Sequence, residues 1–187
     1  MLVKLIWMIR AICYKPFMGQ FGLYSYIGQP FYMRGFKNIC FGKKVRIYPG
    51  ARIESLGNGK IVIGDDVSIG QCLHLIASKK VLIEKNVTLS ANVFISDVEH
   101  DYTEIGIHVM NQKLITSTAV IGENCFIGYG AVIRAGTVLG KQCVVGANSV
   151  VKGVFPDGCV IAGNPAKIIK RYDAGSQKWE RVNSGIL

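Results

Sequence analysis

Aliphatic residues recur every six positions through most of the chain. Ile63, Ile69 and Leu75 form one run and Ile83, Leu89 and Ile95 a second; Ile121, Ile127, Ile133, Leu139, Val145 and Val151 form the longest. A glycine often follows, as in Ile63-Gly64, Ile69-Gly70, Ile127-Gly128 and Leu139-Gly140. Four residues after the aliphatic stands a small or branched side chain: Val67, Val87, Val93, Cys125, Ala131, Thr137, Cys143 or Ser149. A weaker copy starts at Phe41-Gly42 and continues through Ile47 and Ile53. An amphipathic helix repeats its apolar positions every three to four residues and a half-buried strand every two, so a period of six is neither. It predicts a short strand followed by a turn, three such units closing one triangular coil, with coils stacked about 4.8 Å apart. The aliphatic fills each coil. Glycine, with Asn86, Asn92, Asn124 and Asn148, serves turns where a positive φ is often required. Cys125 and Cys143 then fall at the small inward position, which makes them core filler and argues against a cysteine acyl-enzyme.

The period breaks in two places. Leu56-Gly57-Asn58-Gly59 inserts a bulging turn between Ile53 and Ile63. Between Ile95 and Ile121 the interruption is far longer, and a long loop leaving a regular solenoid usually carries function. This loop, 97–118, holds His100 and His108, two of the three histidines, and the acids Asp97, Glu99, Asp101 and Glu104. The pattern divides the chain into an N-terminal helical or loop segment (1–38), a parallel β-helix (39–160) with the protruding loop, and a C-terminal tail (161–187).

Half of the 187 residues are hydrophobic, which excludes a disordered chain and leaves ample core for one domain. The formal charge of +10 is unevenly spread: residues 1–60 carry ten basic residues and one acid. Basic ends suit anionic partners such as a phosphorylated cofactor, a phospholipid surface or a phosphate-linked substrate. No nucleic-acid motif accompanies the charge, so no nucleic-acid partner is expected. The six cysteines form no CxxC pair and no zinc-ligand spacing, and no metal site is expected. Arg10 interrupts the apolar start and no small-residue cleavage site follows, so no cleavable signal peptide is read, and free thiols fit a reducing cytoplasm. The opening 2–14 is too short and too charged for a membrane span. It predicts a helix with Lys4 and Arg10 at its polar edge, which either packs on the protein's own assembly or lies in a membrane interface.

Three segments carry a family resemblance: Ile95-Ser96-Asp97-Val98-Glu99-His100-Asp101, the uninterrupted repeat block from Val120 to Val151, and Ile161-Ala162-Gly163-Asn164-Pro165-Ala166-Lys167. Over residues 40–171 the chain resembles the hexapeptide-repeat acyltransferases, and among them the maltose, galactoside and polysaccharide O-acetyltransferases. The resemblance implies an all-β fold: a left-handed parallel β-helix with a short N-terminal helical segment and a C-terminal tail. The hand comes from the resemblance, because crossover chirality alone favours the opposite one. It also implies a homotrimer with active sites between subunits, acetyl-CoA as co-substrate, and a small-molecule or lipid-linked sugar acceptor. The setting implied is surface polysaccharide or lipopolysaccharide biosynthesis in the cytoplasm, at the inner face of the membrane if the N-terminal segment makes a peripheral membrane contact.

Acetyl transfer to a hydroxyl needs a base for the hydroxyl proton, a donor for the developing oxyanion, and both substrates in line. Imidazole suits the first task, since its ordinary pKa of about 6.5 leaves it largely neutral in the cytoplasm. By its place at the start of the loop and by the family match, His100 is the expected base, with Asp97 or Glu99 orienting it. His74, between Leu73 and Leu75, should point outward and could contact the acceptor. The resemblance carries pantetheine contacts onto Gly128 and Ala147, and phosphate contacts onto Lys152, Lys167, Lys170 and Arg171. Phe126 departs from the tryptophan usual in the family, which leaves the thiol tunnel's shape open. The competing readings are N-acetylation of an amino sugar, a γ-carbonic-anhydrase-like metalloenzyme needing three converging histidines, and a non-catalytic scaffold.

Overall fold

A computed structural model describes residues 2–182. The chain forms a parallel β-helix of six complete coils and two sides of a seventh, preceded by helix α1 (Leu2–Tyr14) and followed by an antiparallel hairpin. Strands stack into three faces. In the fourth coil these are Lys80–Ile83 on the first face, Thr88–Leu89 on the second and Phe94–Ser96 on the third.

The six-residue period becomes three inward ladders. Ile63, Ile83, Ile121 and Leu139 are successive register partners down the first face. Ile69, Leu89, Ile127 and Val145 run down the second, and Leu75, Ile95, Ile133 and Val151 down the third. All twelve are buried, as are the small-position residues from Val67 to Ser149. Each buried aliphatic contributes about 1.5–3 kcal/mol relative to exposure. Cys125 and Cys143 lie in this core. The hydrogen bond to Cys143, together with burial, pushes the Cys125 thiol up, away from a reactive thiolate.

The glycines that follow the aliphatics do not supply left-handed turns. A Cβ on Gly64 would stand 2.7 Å from the Lys85 nitrogen, and one on Gly128 would stand 2.6 Å from the Ala147 nitrogen. Both positions keep ordinary φ, and glycine is needed because the next coil's backbone occupies the space. The left-handed residue comes two positions later. Asn86, Asn92, Asn124 and Asn148 have φ of 56–60°, as expected, but Lys44, Asp66, Cys72 and Gln142 adopt the same conformation.

The coils begin before residue 39. Gln20–Phe21 pairs with Cys40–Phe41, Tyr26–Ile27 with Arg46–Ile47, and Tyr32–Arg34 with Arg52–Glu54. Phe21, Ile27 and Met33 keep the six-residue spacing, disguised by an aromatic and a methionine in place of aliphatics.

Both ends of the stack are covered. On α1, Trp7, Arg10, Ala11 and Tyr14 face the first coils. Trp7 packs against Tyr26 and Tyr48, Tyr14 stacks on Phe36, and Arg10 donates to the Ile27 carbonyl at 3.3 Å. At the other end the tail adds two further strands to the second face. Ala166–Asp173 pairs antiparallel with Cys159–Gly163 around a cis Asn164–Pro165 peptide, and Lys178–Arg181 adds an outer strand. Ala166 and Ile168 pack on the core. The last five residues of the expected tail lie outside the described residues. No helix among the described residues is long and apolar enough to cross a membrane.

Candidate active site

The corner between the third and first faces absorbs the irregular turns. It holds Leu56–Gly59 in the second coil, a tight turn at Ser78–Lys79 in the third, and the loop 97–118 in the fourth. Asp97 opens that loop and is fully buried. Its carboxylate accepts the amides of Ser78 (2.7 Å), Lys79 (2.7 Å) and Lys80 (2.5 Å), so it holds the loop's root to the turn of the coil before. No hydrogen bond joins Asp97 to the imidazole of His100 among the described residues.

Beyond Asp97 the chain forms a two-stranded hairpin. Val98, Glu99 and His100 pair with Thr116, Ile115 and Leu114. Glu99 bends back over the same corner of the next two coils. It meets Arg134 at 2.8 Å and Lys152 at 2.9 Å. Partial burial alone would raise its pKa, but the Lys152 hydrogen bond and the Arg134 charge outweigh it and hold the carboxyl low. Glu99 bonds to two cations rather than to His100, and Lys152 is held at the hairpin.

His100 occupies the last paired position of the hairpin, and its ring is exposed. The loop beyond is tied to itself. Gln112 bonds to the Glu104 and Ile107 carbonyls, and Asp101 accepts from Thr103. His108 accepts the Met110 amide on Nδ1 at 3.3 Å, so it caps a local turn.

His74 faces outward on the third face, as its flanking leucines require, between Arg52 of the coil before and Phe94 of the coil after. The Phe94 ring stands edge-on to it at 5.1 Å. Burial and the Arg52 charge lower its pKa, with Glu54 opposing. Its Nε2 is buried without a partner among the described residues, which leaves an unsatisfied group beside an open face. Next to it, buried Glu54 takes Arg34 at 2.8 Å and Arg52 at 2.5 Å. Sequence reading missed this triad. Register across coils creates it, although the Arg52-Ile53-Glu54 alternation does place both charges on one side.

Gly128 and Ala147 lie on a different edge, between the second and third faces. The Gly128 amide donates to the Val145 carbonyl at 2.8 Å, so this glycine serves coil stacking first. Lys167 pairs with Ala162 at the foot of that edge, while Lys170 and Arg171 run back along the second face opposite Val160 and Cys159. Phe126 stands outward on that face, partly exposed. His100 and Glu99 thus line one edge of the prism, and Gly128, Ala147 and Lys167 another, with the third face between them.

Residues 118–153 match the family model described as bacterial transferase hexapeptide (six repeats). WbbJ of Escherichia coli K12, named as a lipopolysaccharide biosynthesis O-acetyl transferase, is 34% identical over 160 residues, 82% of each chain. The chain belongs to the hexapeptide-repeat acetyltransferases. A Dictyostelium discoideum protein named as an acetyltransferase shares 38% identity with this acetyltransferase over 138 residues, 73% of its length and 70% of the relative's. Among solved structures, a point mutant of the N-acyltransferase AntD of Bacillus cereus, with dTDP and coenzyme A, superposes with a TM-score of 0.77 at 20% identity, covering 88% and 90% of the two chains. A maltose O-acetyltransferase from Clostridium difficile 630 superposes with a TM-score of 0.61 at 24% identity, covering 88% and 75%. At these identities the superpositions speak for the fold.

Proposed function

We propose that this acetyltransferase transfers the acetyl group of acetyl-CoA directly to a sugar hydroxyl, with His100 as general base, in surface polysaccharide or lipopolysaccharide assembly in the cytoplasm. The observation that carries the reading is His100 itself. It is exposed on a hairpin whose root and flank are fixed by Asp97 and Glu99 and, unlike that of His108, its ring makes no hydrogen bond among the described residues. In the step, the imidazole takes the hydroxyl proton while the oxygen attacks the thioester carbonyl. The tetrahedral intermediate then expels the CoA thiolate, which takes the proton from the imidazolium. Asp97 and Glu99 act as positioning residues in this scheme, and the acceptor lies along the third face, on which His74 stands.

The residues expected to hold acetyl-CoA, Gly128, Ala147 and Lys167, occupy a different edge from His100, and Lys170 and Arg171 extend that basic strip. Within one chain the third face separates the two groups. A trimer that sets one protomer's His100 edge against its neighbour's Gly128 edge would join them. The E. coli relative named for O-acetyl transfer, at 34% identity, favours a hydroxyl acceptor over the amine implied by the more distant N-acyltransferase fold.

A thiol-release assay with acetyl-CoA and a panel of sugars, amino sugars and nucleotide-sugars tests the proposal. His100→Ala should lower kcat by about 10²–10⁴-fold. Its melting temperature should hold, because the ring is exposed. Wild-type turnover in His100→Ala, or a chain that sediments as a monomer while fully active, would reject it.

A further inference from the structure

We infer that the N-terminal end of the β-helix docks on an anionic lipid bilayer through the outer face of α1 and the tips of the first coil. This inference does not depend on the transfer chemistry. With Trp7, Arg10, Ala11 and Tyr14 turned to the coils, the outward side of α1 consists of Leu5, Ile6, Met8, Ile9 and Ile12, all exposed, Ile12 at 69%. Apart from Lys4, the exposed side of α1 is apolar, and no element of the described chain covers it. The apolar surface continues on the first coil. Leu23 and Tyr24, the latter 77% exposed, stand at the corner beside α1, and Phe17 and Phe31 are exposed at the other two corners of that layer. An open groove between α1 and the Gly22–Ser25 corner joins the two parts. Scattered apolar residues are ordinary on a surface, whereas the contiguous patch of α1 with Leu23 and Tyr24 marks an interaction site.

The charge pattern selects the occupant. No acid occurs before Glu54, and Lys4, Lys15, Lys37, Lys43 and Lys44 are exposed with no ion pair among the described residues. An apolar face rimmed by unpaired lysines fits the headgroup boundary of an anionic membrane. Two copies meeting through this end would bring like charges together, which opposes a self-contact. The helix is too short to span, so it lies in the interface with the coil axis pointing away from the bilayer. That pose keeps the third face and the His100 edge open to an acceptor carried by the membrane.

Flotation of the full chain with phosphatidylglycerol–phosphatidylcholine vesicles, and with phosphatidylcholine alone, tests the inference. Wild type should float with the anionic vesicles and bind the neutral ones at least about tenfold more weakly. Each basic residue near such a surface adds about a fivefold gain in partitioning, so Lys4→Glu/Lys15→Glu should lose roughly 25-fold or more. Ile9→Glu/Ile12→Glu should abolish flotation while its melting temperature and its turnover of a water-soluble acceptor stay at wild type. Failure of wild type to bind anionic vesicles, or variants that bind as well as wild type, would overturn it. So would a fall in oligomeric state of the isoleucine variant without lipid, which would assign the face to a contact between copies.

Discussion

Glu99 and Lys152 stand 53 residues apart in the chain and meet at 2.9 Å, across the corner from which the loop departs. With Arg134 on its other side, Glu99 clamps the base of the His100 hairpin onto two later coils. Exposed pairs of this kind add only about 0–1 kcal/mol to stability, so the effect of breaking one should be felt in positioning. Glu99→Gln and Lys152→Met should each lower kcat by about tenfold with little change in melting, and the double variant should be no worse than either alone. A misplacement of about 1 Å in a catalytic group is enough for losses of this order. Stopped-flow kinetics of the four proteins measures the coupling. If Glu99 oriented the imidazole directly, its variant would be far worse than that of Lys152.

Asp97 accepts three amides from one turn while fully buried. Asparagine would turn an NH₂ group toward amide donors, leaving at least one unsatisfied. Asp97→Asn should cost about 2–4 kcal/mol in urea unfolding and loosen the loop's root. Activity should fall with it, and hydrogen exchange at Ser78–Lys80 should accelerate.

Gly128→Ala is a test of coil stacking rather than of backbone dihedrals, because the added methyl would lie 2.6 Å from the Ala147 nitrogen and 2.8 Å from the Val145 oxygen. Neighbouring backbone cannot give way cheaply, and a loss of about 1–3 kcal/mol is expected in chemical denaturation. A neutral outcome would mean the coils separate more readily than their ladders suggest.

His74 gives stability a pH dependence of known sign. Burial and the Arg52 charge hold its folded pKa below the ordinary 6.5, with Glu54 opposing. The native state therefore binds this proton less readily than the unfolded chain. The stability tied to the neutral ring is complete above about pH 6.5 and drains away as the pH falls from there through the folded pKa. Urea midpoints measured from about pH 7.5 down to about 5 should decline in wild type and decline less in His74→Gln.

Much of this molecule was legible in its sequence. The six-residue period located the aliphatics from Ile63 to Val151 in the core and put Cys125 and Cys143 among them. It also turned His74 outward. The first coil was missed, because a phenylalanine and Met33 in the aliphatic positions disguise the spacing that Phe21-Gly22 and Ile27-Gly28 carry. The glycine that often follows an aliphatic was visible and its reason was not. Left-handed φ is a property of a single residue, whereas the approach of the next coil depends on a segment many residues away.

Side-chain size and spacing repeat locally, and each coil buries its own copy of the pattern against the next, so sequence alone determined the β-helix, its inward positions and the place where a loop leaves it. Charge partners follow no such period. Asp97 capping the turn at Ser78–Lys80, Glu99 reaching Arg134 and Lys152, and Glu54 held between Arg34 and Arg52 all depend on which coil lies beside which, and in what register. Tertiary structure decided those, together with the division of the candidate site residues between two edges, because an ion pair or a buried carboxylate is fixed by distance in space.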